Sequence, residues 1–206
     1  MAAEKTSLSN EQLIDHYKQM VFFRRFEERM NLAYTKQKFS GFCHLHIGQE
    51  ALAVGVQATL TDHDYVISGY RSHTQAIGKG IPPEQVVSEL FGKHAGCSKG
   101  KGGSMHMFSH KQRFLGGHGI VGGQAPLATG VAFSIKYQKK PEVIVCYLGD
   151  AAMNQGVVFE SFNMASTWDL PVLFIIENNL YGMGTAITRT TNIENLSDRA
   201  LGFNMD

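Results

Sequence analysis

The sequence is short of charge, of cysteine and of long apolar runs. Charged residues make up 18% of its 206 residues and the net charge is +1. No broad field therefore draws nucleic acid or an anionic membrane, and any anion must be held by local groups. The 43% of apolar residues suffices for a buried core and excludes both disorder and a solvated helical rod. Three cysteines, Cys43, Cys97 and Cys146, make neither a complete disulfide framework nor a C-x-x-C metal site, and point to reducing surroundings. Runs such as Pro171 to Ile176 fall far below the roughly 18 residues of a membrane span. The opening Met1-Ala2-Ala3-Glu4-Lys5 shows neither an apolar leader nor an arginine-rich transit pattern, so the expected setting is cytoplasmic, with a mitochondrial matrix or plastid second.

What the sequence has in excess is glycine. Half of its 22 glycines lie between Gly92 and Gly130, a density that signals positive φ angles or close approach of backbone to a ligand. A long flexible loop is the alternative.

Ser9-x-x-Gln12 reads as a capping box, and Leu13, Tyr17, Met20, Phe23 and Phe26 follow at helical spacing to about Tyr34. The opposite face, with Arg24, Arg25, Glu27, Glu28 and Arg29, is expected to be solvated or to face a subunit. Further helices are expected over Gln49–Leu60, Glu84–Phe91 behind Pro82-Pro83, and Gln124–Tyr137. Asp64–Ser68, Val143–Leu148 and Val172–Ile176 read as buried strands, with a crossover helix over Asn154–Trp168. That βαβ unit implies a doubly wound, mostly parallel α/β sheet.

Three motif matches fail on their own terms. Gly117-x-Gly119-x-x-Gly122 fits the dinucleotide fingerprint, but Lys111 to Leu115 ahead of it is not a hydrophobic strand, and Glu142 comes before the next strand instead of after it. Nicotinamide binding stays a rival reading. Gly96 to Lys101 lacks the P-loop spacing, with Gly102 where a Ser or Thr is needed. Cys43-His44-x-His46 has no second pair to complete a zinc site, so these histidines are structural or face a substrate.

The strongest constellation is Gly149-Asp150-Ala151 after one strand and Glu177-Asn178-Asn179 after the next, with 26 residues between Ala151 and Asn178. Parallel strands deliver both to the carboxyl edge of the sheet, where open α/β sheets bind ligands. A carboxylate, an amide oxygen, a backbone carbonyl and diphosphate oxygens suit magnesium, and a helix starting near Asn154 would aim its positive end at the diphosphate. The alternative is a helix cap at Asp150 and a turn at Asn179.

With these residues the chain resembles thiamine-diphosphate enzymes, whose signature is G-D-G, a spacer of this length and N-N; Ala151 stands at the third glycine. More narrowly it is similar to the α subunits of pyruvate dehydrogenase E1 components. The likeness runs over Gly41 to Leu45, Gly48 to Ala51, Tyr70-Arg71, Gly100 to Met107, Gly119 to Gly122 and Asn178 to Thr185. The resemblance implies one thiamine-diphosphate-binding α/β domain over 1–206, with a helical extension over about 1–40, cut short at its C-terminus. It implies that Asp150, Asn179 and the Tyr181 carbonyl ligate Mg2+. Tyr70 and Arg71 would hold the diphosphate, with backbone near Ala151 and Ala152. Gly119 and Val121 would approach the aminopyrimidine, Met183 would prop the cofactor, and His44 would face the keto acid. A β subunit would complete an α2β2 E1 by supplying a glutamate. That E1 would decarboxylate pyruvate and acetylate the lipoyl group of the E2 dihydrolipoyl acetyltransferase. Acetoin and branched-chain 2-oxoacid dehydrogenases are rivals within the class; Gly-Gly-Ser-Met-His-Met at 102–107 and Tyr181 to Thr185 resemble the pyruvate enzyme more. A noncatalytic assembly fragment is the remaining alternative.

Overall fold

The structure, a computed structural model, describes residues 8–205. Met1 to Lys5 and Asp206, read above, lie outside the described residues.

Helix α1 (Asn10–Thr35) begins at the expected capping box: the Gln12 amide donates to Ser9 Oγ at 3.2 Å, and the Ser9 amide to Gln12 Oε1 at 2.9 Å. Then come α2 (Glu50–Gln57), β1 (Tyr65–Gly69), α3 (His73–Gly78) and α4 (Pro83–Leu90). After the glycine-rich segment follow β2 (Phe114–His118), α5 (Gln124–Tyr137), β3 (Ile144–Gly149), a 3-10 turn (Asp150–Asn154), α6 (Gly156–Thr167) and β4 (Val172–Glu177). A two-residue hairpin, β5 (Tyr181–Gly182) and β6 (Thr185–Ala186), and α7 (Asp198–Leu201) complete the order.

The four main strands pair in parallel in the order β2-β1-β3-β4, the α/β sheet expected. Strand alternation divides two cores. Ile67, Ile144, Cys146 and Leu148 pack with Ala128, Ala132, Val158 and Phe162 of α5 and α6. Val66, Val145 and Tyr147 pack on the other face with Phe26, Ala76 and Val86 of α1, α3 and α4. Among the described residues no helix is long and apolar enough to cross a membrane.

Four expectations are corrected. Phe114 to His118 is a strand, with two glycines where strands carry bulk: a Cβ on Gly117 would stand 2.5 Å from Ser72 Oγ and from the Met105 carbonyl, so crowding excludes any side chain. The stretch after β3 is a 3-10 turn before the helix, so α6 begins at Gly156, two residues after the expected start. Helix α2 stops at Gln57, short of Leu60.

The fourth concerns Glu27, which is 0% exposed. It lies four residues after Phe23 and three before Met30, so helical periodicity puts it on the buried stripe whatever its charge. Leu13 and Tyr17, in turn, are 50% and 64% exposed. The glycine-rich segment wraps a second buried acid. Glu89 in α4 is 0% exposed and accepts four backbone amides, from Ser98, Gly100, Gly102 and Gly103, at 2.7–3.2 Å.

Candidate functional site at the carboxyl edge of the sheet

The carboxyl ends of all four parallel strands open on one cavity of about 260 Å³. β1 delivers Tyr70 and Arg71, β3 delivers Asp150 with Ala151 and Ala152, β4 delivers Asn179, and the β5–β6 hairpin delivers Tyr181 and Met183. Val121, from the turn after β2, closes the wall. Of the residues singled out in the sequence, Gly119 and His44 stand apart from this lining. Gly119 is packed beside the His106 ring, which a Cβ there would meet at 3.3 Å. His44 lies behind Tyr70, ring centroids 4.4 Å apart. Burial, followed by the charge of Arg71, holds the His44 imidazole below its ordinary pKa.

Asp150 is 2% exposed and its Oδ2 has no hydrogen-bond partner. Burial pushes its carboxyl above the usual range, and the amides of Asp150, Ala151 and Asn179 pull it part of the way back. A buried, unpartnered carboxylate oxygen is expensive unless a cation or donor meets it. Gln124 adds a second such acceptor. Its Nε2 donates to the Tyr147 carbonyl at 2.9 Å, which fixes the amide's orientation and leaves Oε1 buried and unpaired in the cavity wall. Opposite in chemistry, the Arg71 guanidinium is pure donor, steadied by the Leu45 carbonyl at 2.7 Å. Asn178 and Asn179 each accept the amide two residues on, from Leu180 at 3.1 Å and Tyr181 at 3.0 Å. Leu180, within these Asx turns, has positive φ (70°), and so does Met183 (56°) in the two-residue turn between β5 and β6.

Ala151, at the third signature position, sits in the 3-10 turn without positive φ. Its methyl uses the space that a side chain at Gly182 would need: a Cβ there would come within 2.6 Å of the Ala151 Cβ.

Sequence reasoning missed Gln49, His118, Gln124 and Glu177 in the lining. Glu177 is 9% exposed and takes His46 Nε2 at 2.7 Å and Gln75 Nε2 at 2.8 Å on one oxygen. Gln49 does occur in a block that carries the family likeness, Gly48 to Ala51, and Glu177 stands just ahead of another, Asn178 to Thr185. Glu142, the acid considered for a ribose, instead pairs with Arg113 at 3.1 Å and is not part of the cavity lining.

The profile of the Dehydrogenase E1 component family matches residues 18–206. The chain belongs to the dehydrogenase E1 component family. It is 51% identical over 194 residues to the pyruvate dehydrogenase E1 component subunit alpha of Zymomonas mobilis, covering 94% of this chain and 55% of the relative. The Rhizobium meliloti subunit alpha is 49% identical over 195 residues, covering 95% and 56%. The mitochondrial subunit alpha of Dictyostelium discoideum is 49% identical over 189 residues, covering 92% and 50%. This E1 chain thus spans about half the length of the curated relatives it matches. Its fold is shared with a Mycobacterium smegmatis protein assigned as a thiamin diphosphate-dependent enzyme, at TM-score 0.51 and 16% identity, over 80% of this chain and 28% of the other. Membership in the E1 family leaves the nicotinamide reading of Gly117 to Gly122 without support.

Proposed function

We propose that this E1 chain is an α-type subunit that holds thiamine diphosphate and Mg2+ in the cavity at the sheet edge. Completed by a β subunit, the E1 would oxidatively decarboxylate pyruvate and acetylate the lipoyl group of an E2 dihydrolipoyl acetyltransferase. The observation that carries the reading is Asp150: a buried carboxylate with one oxygen left open, facing a cavity that also holds Tyr70 and Arg71. Acceptors on one side and donors on the other suit a cation carried by a diphosphate. Identity of 51% and 49% to relatives named for pyruvate dehydrogenase supports the substrate.

Asp150, the Asn179 side chain and the Tyr181 carbonyl would hold the metal; Asn179 Oδ1 keeps a lone pair beyond the one given to the Tyr181 amide. The Tyr70 hydroxyl and Arg71 would bind the diphosphate with backbone at Ala151 and Ala152. Gly119 and Val121 would flank the aminopyrimidine, and Met183, 82% exposed on the hairpin, would prop the cofactor. When bound, thiamine diphosphate supplies the electron sink that a 2-oxo acid needs to lose carbon dioxide. His44, whose imidazole its surroundings hold below the ordinary pKa, would orient the keto acid from beside Tyr70. A cytoplasmic setting belongs to the same proposal, supported by three free cysteines.

The test is calorimetric titration of thiamine diphosphate into the chain mixed with a matching β subunit, with and without Mg2+, beside Asp150→Ala. Binding should need both the metal and Asp150. Binding indifferent to both removes the proposal.

A further inference from the structure

Beneath the cavity lies a buried polar network that the proposed chemistry does not use. Glu27, His46 and His73 are 0% exposed and Gln75 is 2% exposed. Burying such groups is costly unless every one is paired, and here the pairing closes. Glu27 accepts His73 Nδ1 at 3.0–3.1 Å and the His46 backbone amide at 3.1 Å. A carboxylate only accepts, so the His73 proton sits on Nδ1, and Nε2 is free to take the Ser104 hydroxyl at 2.8 Å. Ser104 Oγ in turn accepts the His44 amide at 3.0 Å. Glu177, in the cavity wall, likewise fixes the His46 proton on Nε2.

These bonds converge on one stretch without regular structure, Cys43–Ile47. Residue 44 is tied through Ser104 and residue 46 through Glu27 and Glu177, while the Leu45 carbonyl between them receives Arg71 Nη1. The guanidinium that faces the cavity is therefore aimed by a carbonyl whose neighbours on both sides are anchored to buried groups.

We propose that Glu27 is a positioning residue for the site: through the strap Cys43–Ile47 it sets the Leu45 carbonyl and so aims Arg71 at the cavity. The anion that Arg71 meets rests on the diphosphate reading above; the aiming itself does not.

The test uses the full chain in two measurements. The first is NMR of the Arg71 guanidinium N–H signals, assigned by their loss in Arg71→Lys. In the wild type they should be slowly exchanging and resolved; in Glu27→Gln, with native circular dichroism, they should collapse to the averaged signal of exposed arginines. Should Glu27→Gln fail to fold, Glu27→Asp keeps the charge, retracts it by one methylene and should broaden the same signals. Averaged Arg71 signals in the wild type, or resolved ones in a folded Glu27 variant, overturn the proposal.

The second measurement is calorimetry with inorganic diphosphate and Mg2+. Arg71→Ala should weaken binding roughly 10- to 100-fold, as loss of a charged hydrogen bond does, and Glu27→Gln about tenfold, as loss of a supporting contact does. The double variant should be no weaker than Arg71→Ala alone, because one path cannot be cut twice. Additive losses would place the Glu27 effect elsewhere and defeat the strap. Diphosphate binding that is absent, or unmoved by Arg71→Ala, instead defeats the cofactor reading, with the guanidinium signals still deciding on Glu27.

Discussion

Gly182→Ala should damage the site by a route that can be reversed at a second position. A Cβ on Gly182 stands 2.6 Å from the Ala151 Cβ, well inside contact distance, and Gly182 does not need positive φ. The damage is therefore steric alone. Overpacking of this kind costs about 1–3 kcal/mol. At about 2–4 °C per kcal/mol for a chain of this size, the melting temperature should fall by about 2–12 °C. Because β5 and β6 are two-residue strands on the surface, part of the clash should relax by tilting the hairpin away from the 3-10 turn. Both elements line the cavity, so affinity for thiamine diphosphate with Mg2+ should fall as well, by about tenfold if some 1.4 kcal/mol of the strain reaches the site. Ala151→Gly removes the opposing methyl at a backbone cost of about 0.5–1 kcal/mol. The double variant should thus recover affinity fully and melting temperature in part. Thermal melts and calorimetry on the four proteins check this. A Gly182→Ala protein with wild-type stability and affinity, or a double variant no better than the single, refutes the reasoning.

Asp64 ties β1 to β3 by accepting the Thr61 amide and hydroxyl at 2.8 Å and the Val143 amide at 2.9 Å. Burial pushes its carboxyl up, but those bonds and the Lys79 charge outweigh it and hold the group below the ordinary range. Its stabilisation is therefore fully present above the ordinary carboxylate value of about 4 and is lost as pH falls from there through the lower folded-state value. Asp64→Asn should lower the melting temperature at pH 7 and flatten its decline on acidification, seen in melts from pH 7 to 3. Glu89→Gln leaves one acceptor oxygen for four amides, at about 1–3 kcal/mol per orphaned group. Hydrogen exchange should show Ser98, Gly100, Gly102 and Gly103 losing protection, and retained protection would refute the keystone role of Glu89. Burial, then the Glu27 charge, raises the Cys43 thiol to about 11, and burial raises Cys146 further. A thiol reagent at pH 8 should modify Cys43 only slowly and leave Cys146 untouched until the chain unfolds.

The parts of this fold that can be read from sequence are those whose physics is local. Val143 to Leu148 and Val172 to Ile176 are apolar and β-branched, and both form strands because such runs have few other stable fates. Helix α5 matches its expected bounds, Gln124 to Tyr137, since its proline, Pro126, lies in the first turn, where no amide hydrogen is needed, and small apolar residues carry the pattern past Gly130. Asp150 and Asn179 share a cavity because a right-handed crossover returns strands in parallel, and Gly149 opposite Glu177 in the ladder sets their separation. β2 escapes this kind of reading, because Gly117 answers to Ser72 and Met105 and Gly116 to the Phe108 ring, contacts made only after folding.

The network beneath the cavity escapes it more completely. Charge suggests that Glu27 belongs in water, and helical periodicity, which says otherwise, is the stronger constraint: a side chain cannot leave the face its backbone assigns. Its partners are 19 and 46 residues away, and Glu177 lies 131 residues from His46, beyond the reach of any motif. Asp150 and Asn179 line the cavity at the sheet edge. Whether the donors opposite them point the right way depends on the strap, and hence on buried acids that only the folded chain brings together.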